Sequence, residues 1–260
     1  MRSLLLVAHG SRDPRAAAAT RALASAVSAA RPGVHVRVAF LEHALPRPAQ
    51  VLAALQGEGR PGAVVVPLLM TAAYHGRVDI PAVLAAARRD GLRMPVVVAD
   101  VLGPVNGEVH PSLVAGLGRR LSEMDAAGPG FDAIVLAAAG TRDPAARETV
   151  AYAGAALGGR LGVPVEAAYA SAAAPTPGEV VARMRAAGAR RVAVAAYFLA
   201  PGRLYEAGAD GARAAGAVGV AAPLCDAPEL ADLVLARADA AARAASIMAP
   251  AVDHGVVAVS

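Results

Sequence analysis

The stretch LLLVAHGSRDP, residues 4–14, decides the fold of this chain. Its short apolar run ends at His9, and the polar turn that follows leads into an alanine-rich segment with helical periodicity. Ser11 or Asp13 suits the cap of that helix, and Pro14 suits its first turn. The stretch therefore predicts a strand, a tight turn and a helix in succession.

The same alternation of short apolar runs and long Ala/Arg/Leu segments continues along the chain. Runs such as VVVPLL are apolar throughout, which is typical of strands covered on both faces of a parallel sheet. The pattern indicates an α/β fold. In the first half it predicts strands at 4–8, 34–41, 62–69 and 95–99, and helices at 13–30, 47–57, 77–90 and 109–124.

The second half of the sequence repeats the first, which predicts two flavodoxin-like, parallel-sheet halves. We place an N-terminal half at 1–125, a C-terminal half at 130–247 and a tail at 248–260. The matching segments are LLLVAHGSRDP (4–14) with IVLAAAGTRDP (134–144), VRVAFLEHALPRP (36–48) with VEAAYASAAAPTP (165–177), and VVVPLLMTAAYHGR (64–77) with VAVAAYFLAPGR (192–203), the last two residues shorter.

Composition narrows the classes of function. The chain has 260 residues, is 56% hydrophobic and 18% charged, and can bury a large core. All 25 basic residues are arginine and the net charge is +4, which suits an anionic ligand. Aromatic residues make up only 3%, and no basic run occurs, so we expect no nucleic acid partner. The single Cys225 cannot form a thiolate metal cage.

Two observations bear on location. The longest segment free of Asp, Glu, Lys and Arg, residues 61–76, is shorter than the roughly 20 apolar residues of a membrane span. The apolar run before His9 is too short for a secretory signal. We therefore predict no membrane partner and a cytoplasmic location.

The repeat also separates residues of the fold from residues of the chemistry. His9 is replaced by Ala139 in the second half, Glu42 by Ser171, and the loop with His75 by a shorter loop without histidine. All three polar residues follow strands, and the carboxyl ends of parallel strands share one edge of the sheet, where ligands bind. Two imidazoles and a carboxylate suit a divalent cation such as Fe(II), Co(II), Ni(II) or Zn(II).

The other histidines have no such pattern. We treat His35, His43, His110 and His254 as bystanders, although His43 and His110 could lie near the site. The retained SRDP and TRDP turns are interpreted as structural.

Four segments together resemble the sirohydrochlorin chelatases, the class II chelatases of siroheme and cobalamin biosynthesis. They are VAHGSRDPRA (7–16), FLEHALP (40–46), PLLMTAAYHGRVDIP (67–81) and VADVLGP (98–104). The sequence departs from the family pattern at NGEV (106–109), which is inserted before His110.

The resemblance implies insertion of Fe(II) or Co(II), as substrate, into an anionic tetrapyrrole, with no organic cofactor. The family's metal-handling residues correspond to His9, His75 and Glu42, which serve as metal ligands and catalytic groups. Ser11, Arg12 and Arg77 are the candidates for binding the tetrapyrrole. Arg142 and Arg203 would face the same crevice if the halves pack with their strand ends together.

Three other functions are consistent with the residues. The chain could insert metal into a porphyrin of the haem branch, or carry cobalt, nickel or iron without catalysis. HGSRDP could bind phosphate, although it lacks the glycine spacing and lysine of a P-loop. Because a fused pair of halves can complete one crevice, we expect a monomer.

Overall fold

The computed structural model describes residues 2–71, 79–124 and 130–248. The first half has four strands and four helices close to the predicted ranges. Its elements are β1 (Ser3–Ala8), α1 (Pro14–Ala30), β2 (Val36–Phe40), α2 (Pro48–Gly57), β3 (Ala63–Leu68), α3 (Ile80–Arg89), β4 (Val96–Val98) and α4 (Pro111–Met124).

The second half repeats this order of elements, as the internal repeat predicts. Each half forms one four-stranded parallel sheet, in the orders β2-β1-β3-β4 and β6-β5-β7-β8. The α/β prediction with two related halves is confirmed. The elements are β5 (Ala133–Ala138), α5 (Pro144–Leu161), β6 (Val165–Tyr169), α6 (Pro177–Ala186), β7 (Val192–Tyr197), α7 (Arg203–Ala214), β8 (Gly219–Val220) and α8 (Pro228–Met248).

The strand registers correct one detail of the sequence comparison. Ala63 lies opposite Ser3 in the first sheet, and Val192 lies opposite Ala133, the counterpart of Ser3, in the second. Ala63 and Val192 are therefore equivalent. When Gly76-Arg77 is aligned with Gly202-Arg203, the segment from Val192 is three residues shorter than the segment from Ala63, and not two.

The molecule is built in five layers. The residues of β1 alternate between two cores: Leu4 and Leu6 face the central one, and Leu5 and Val7 face an outer one. The central core lies between the sheets and contains residues of α1, α4, α5 and α8. Helices α2 and α3 cover the outside of the first sheet, and α6 and α7 that of the second. Within the described residues, no helix is long and apolar enough to cross a bilayer.

The last helix of each half packs on the sheet of the other half. Helix α8 contacts β3, β4 and α1 of the first half, whereas α4 contacts β7, β8 and α5 of the second. The two exchanged helices also contact each other. Leu117 and Leu121 of α4 and Leu230 and Leu233 of α8 are buried in the central core. The exchange thus joins the halves through apolar burial and fixes how their strand ends face one another.

Candidate metal and tetrapyrrole site

The turns after β1 and β2 bring His9 and Glu42 together. The backbone N–H of Leu41 donates to the carbonyl of Ala8 at 3.0 Å, and that of Glu42 donates to the carbonyl of His9 at 2.7 Å. Gly10 follows with a φ of 95°, and a Cβ there would overlap the carbonyl oxygen of Glu42. A glycine is therefore required where the turn after β1 crosses the turn after β2. Both residues lie at one sheet edge, as their sequence positions predict.

His43 lies in the same site. Its Nε2 is 3.3 Å from an Oε of Glu42, and its ring centroid is 6.3 Å from that of His9, with the planes at 79°. From its sequence this histidine was predicted to be a bystander that could be near the site. Its place directly after Glu42 at a strand end was the available signal.

The third predicted ligand, His75, lies outside the described residues, as does Arg77. Within the part of the chain that the structure describes, no three His, Cys, Asp or Glu side chains are grouped so as to hold a metal ion. The assignment of His9, Glu42 and His75 as the metal site therefore stays a prediction.

A cavity of about 840 Å³ lies between the two halves. The carboxyl ends of β1 and β3 line it from the first half, and those of β5 and β7 line it from the second. The halves thus pack with their strand ends together. His9 is in the wall, together with Ser11 and Thr71 of the first half and Thr141 and Asp143 of the second.

The remaining walls of the cavity are mainly apolar. Although the chain has only three phenylalanines and five tyrosines, four of these eight rings line the cavity. This wall was not predicted from the sequence; the available signal was the position of the aromatic residues at strand ends in an alanine-rich chain. The four are Phe40, Tyr169, Tyr197 and Phe198, and Leu23, Leu68, Leu199 and Leu204 extend the surface.

The second half has the same turn without the ligands. Gly140 has the φ of Gly10, 95°, and a Cβ there would overlap the carbonyl oxygen of Ser171. Ala172 has a φ of 60°, equal to that of His43. The hydroxyl of Ser171 donates to the carbonyl of Ala139 at 2.8 Å. Both halves therefore have the backbone turn of the site, but the imidazoles of His9 and His43 and the carboxylate of Glu42 occur only in the turn of the first half.

The SRDP and TRDP turns cap helices, as predicted. The Asp13 carboxylate accepts the N–H of Arg15 at 2.9 Å, and the Asp143 carboxylate accepts that of Ala145 at 3.0 Å. Ser11 accepts the N–H of Asp13 at 3.0 Å, so its hydroxyl also supports the turn.

Arg12 is exposed and is not among the residues that line the cavity. Arg142 and Arg203 are exposed in the same way. These guanidinium groups have no contact with the interior of the cavity. It stays a prediction that Arg12 binds ligand carboxylates that project from the mouth of the cavity.

An ion pair connects the two halves beside the cavity. Arg15 contacts Asp13 and Glu206 of α7, each at 2.5 Å. The side-chain hydrogen bond from Arg15 lowers the pKa of Asp13. Ala16 and Leu204, which neighbour this pair in sequence, are part of the cavity wall. Arg15 is therefore a cation next to the cavity wall that was not predicted from the sequence.

His110 and His35 are structural. Nδ1 of His110 accepts the N–H of Ser112 at 3.2 Å at the start of α4, and His110 does not line the cavity. The NGEV insertion forms a tight turn, closed by two hydrogen bonds between Val105 and Glu108. His35 is 3.1 Å from the buried Ser3 hydroxyl. His254 lies outside the described residues.

Two α/β halves that close a cavity at their strand ends, with a histidine in the cavity wall from the first half and none from the second within the described residues, define a two-lobed chelatase fold. The sequence profile of the CbiX family matches residues 3–124 and again 133–241. The chain therefore belongs to the CbiX family, the sirohydrochlorin chelatase family that its motifs resemble.

Individual relatives agree with this assignment. A sirohydrochlorin cobaltochelatase of Priestia megaterium is 28% identical over 211 residues, which cover 79% of this chain and 67% of that protein. A shorter sirohydrochlorin cobaltochelatase of Methanococcoides burtonii is 27% identical over 122 residues, 44% of this chain and 88% of that protein.

Solved structures show the same fold. SirB from Bacillus subtilis with Fe3+ superposes with a TM-score of 0.80 at 22% identity, covering 95% of this chain and 98% of SirB. CbiX, described as the terminal enzyme for siroheme biosynthesis in denitrifying bacteria, gives a TM-score of 0.64 at 20% identity, with 92% and 99% covered.

Proposed function

We propose that this protein is a sirohydrochlorin chelatase that inserts Co(II) or Fe(II) into the macrocycle with release of two protons. The observation that carries the proposal is the one-sided site. The two halves have the same backbone turn, but only in the first does it carry an imidazole, His9, which lines the cavity, next to a carboxylate, Glu42. The names of the CbiX relatives, which include cobaltochelatases, support the same reaction.

The predicted ligands suit a metal that is a substrate. Neutral imidazoles of His9 and His75 donate lone pairs, and the carboxylate of Glu42 neutralises part of the charge. Glu42 is 55% exposed, so the site is open to solvent on that side and can take up and release the ion. Such a site differs from the closed ligand shell of structural zinc.

The cavity suits the macrocycle. Its apolar walls, among them Tyr169 and Phe198, can cover the flat faces of a tetrapyrrole, while the carboxylates at its edge remain in water. The exposed Arg12 is available to those carboxylates, whereas Arg15 is already paired with Asp13 and Glu206. The macrocycle would then lie with one side next to His9, where the metal is delivered.

Proton removal needs a base at the same place. A histidine that titrates near neutrality can accept a pyrrole proton once it no longer holds the metal. The exposed carboxylate of Glu42 can then transfer that proton to water. His9, His75 and Glu42 are the groups that we propose for these steps. The cytoplasmic location and the monomeric state remain predictions.

The test is anaerobic absorbance spectroscopy of sirohydrochlorin with Co(II) or Fe(II). We expect the wild type to insert metal faster than the spontaneous background and His9→Ala to lose most of that acceleration. Ala139→His, at the equivalent place in the second half, is the matched control and should retain the wild-type rate.

The possible outcomes separate the alternative functions. Metal binding without acceleration would support a carrier, and acceleration with a haem-branch porphyrin but not with sirohydrochlorin would change the substrate. Near-normal turnover by both His9→Ala and His75→Ala would refute the assigned site.

A further inference from the structure

Glu42, a member of the predicted triad, forms a pair of potential metal donors with His43, which is outside the triad. Nε2 of His43 and Oε2 of Glu42 are 3.3 Å apart, and the two side chains are 36% and 55% exposed. Both residues are exposed, whereas His9 is only partly exposed and is in the cavity wall. The pair is therefore more accessible than His9 to an ion in solvent.

The spacing of the pair fits one cation. With metal–ligand distances of about 2.1 Å on each side, two donors 3.3 Å apart subtend an angle of about 100° at the metal. That angle lies between the octahedral and tetrahedral values, so the separation of the two atoms is compatible with chelation of one divalent ion. Imidazole and carboxylate together suit Co(II) and Fe(II).

The backbone, and not the imidazole, determines the geometry of residue 43. His43 has a φ of 60°, in the left-handed region that few side chains adopt. Ala172 has the same φ in the equivalent turn. The turn therefore forms with alanine at this position, and removal of the imidazole should not change the path of the chain.

We infer that Glu42 and His43 form a landing site for the divalent metal, from which the ion passes to His9. The ring of His43 is 6.3 Å from that of His9, so the transfer covers a few ångströms within one site. Glu42 is shared by the landing site and the predicted triad. The inference rests on the proposed chelatase function, but the metal-binding step can be measured without the tetrapyrrole.

The first experiment titrates the full-length protein with Co(II) alone, followed by its visible absorption and by calorimetry. His43→Ala is expected to weaken Co(II) binding at least about tenfold, the lower end of the cost of losing a group around a metal site. Ala172 shows that alanine is compatible with this turn, and circular dichroism of the variant checks the fold. Unchanged Co(II) affinity in a folded His43→Ala protein would overturn the inference.

The second experiment builds the pair in the other half. Ser171→Glu combined with Ala172→His should create a second Co(II) site, because both turns share the same φ values and the same chain crossing. Ala172→His alone is the matched control, since it adds the imidazole without the carboxylate. Binding of no more than the wild-type number of Co(II) ions by the double variant would contradict the geometry on which the inference depends.

Insertion kinetics separate this inference from the proposed function. If the landing site delivers metal, His43→Ala should raise the KM for Co(II) by a larger factor than it lowers kcat. If the wild type binds Co(II) through His43 but inserts none into sirohydrochlorin, the chelatase proposal fails and the metal site stands. If insertion occurs and the KM for Co(II) is unaffected by His43→Ala, the landing site fails and the chelatase stands.

Discussion

The hydroxyl of Tyr197, at the end of β7, donates a hydrogen bond of 3.1 Å to the carbonyl of Met70, which follows β3 in the other half. Tyr197 is 2% exposed, and burial raises its pKa, so the hydroxyl remains a donor throughout the physiological range. A Cβ at Gly103 would overlap the same carbonyl oxygen. Met70 is therefore held from two sides, five residues before His75 in the sequence.

Tyr197→Phe should lower the free energy of unfolding by about 1 kcal/mol, because it removes one buried hydrogen bond and little volume. Tyr169→Phe is the matched control: that hydroxyl is in the same cavity wall, but its contact, at 3.4 Å to Arg147, stays within one half. We expect a smaller loss there. Urea denaturation of both variants measures the difference. Equal losses of unfolding free energy would show that the hydrogen bond between the halves stabilises the protein no more than the one within a half.

Gly10→Ala and Gly140→Ala should lower stability by similar amounts, at least about 1–3 kcal/mol, because each adds a Cβ at positive φ against a carbonyl oxygen. Their effects on metal insertion should differ. The oxygen displaced by Gly10→Ala belongs to Glu42, whereas the other belongs to Ser171. Insertion rates per folded molecule, measured below both melting transitions, should fall much further for Gly10→Ala. Equal rates would separate the turn of the first half from the chemistry.

Residues 1–124, expressed alone, should not form a stable monomer. In the whole chain α8 covers the central face of the first sheet, and its removal would expose buried side chains such as Leu4 and Val64. Two copies could cover these side chains again if the α4 helix of each copy packed on the sheet of the other. We expect analytical ultracentrifugation to find a dimer that Leu121→Ala weakens. A folded monomer would instead support 1–125 as an autonomous domain.

Acid should destabilise the protein partly through His110. Burial, with a smaller contribution from Arg237, lowers the pKa of His110 below its ordinary value of 6.5. The unfolded chain therefore takes up the proton first, so this contribution is complete above pH 6.5 and is lost as the pH falls below it. His110→Asn keeps a side-chain cap for α4 without a titrating group. The unfolding free energy of this variant should fall less between about pH 7 and pH 5 than that of the wild type. An equal fall in both proteins would assign the loss of stability to other groups.

The sequence was sufficient to predict the elements and the sheet edge that carries the site. Apolar runs such as 4–8 and 62–69 correspond closely to β1 and β3, because strands buried on both faces leave little ambiguity. A helix cap at Ser11 or Asp13 was predicted for the same local reason, and the structure has it at Asp13. Convergence of His9 and Glu42 followed from parallel topology alone.

Properties that depend on distant packing could not be predicted. A repeat identifies α4 with α8 but does not say which sheet each helix covers, because both present an apolar face in either arrangement. Alternation along an extended strand would place residue 43 on the face opposite Glu42. The left-handed φ of His43 turns the chain there and returns the imidazole to its neighbour. The apolar cavity wall was missed because it is shared by four separate strand ends.

The exchange of α4 and α8 restricts how a bulky ligand can enter. Two lobes joined by a simple hinge can separate by a domain rotation. Here each lobe has a helix, α4 or α8, that packs on the sheet of the other lobe. Wide opening would pull Leu121 or Leu233 out of the shared core. We therefore expect a ligand to enter the cavity through rearrangement of side chains and turns around it, and not through wide separation of the two lobes.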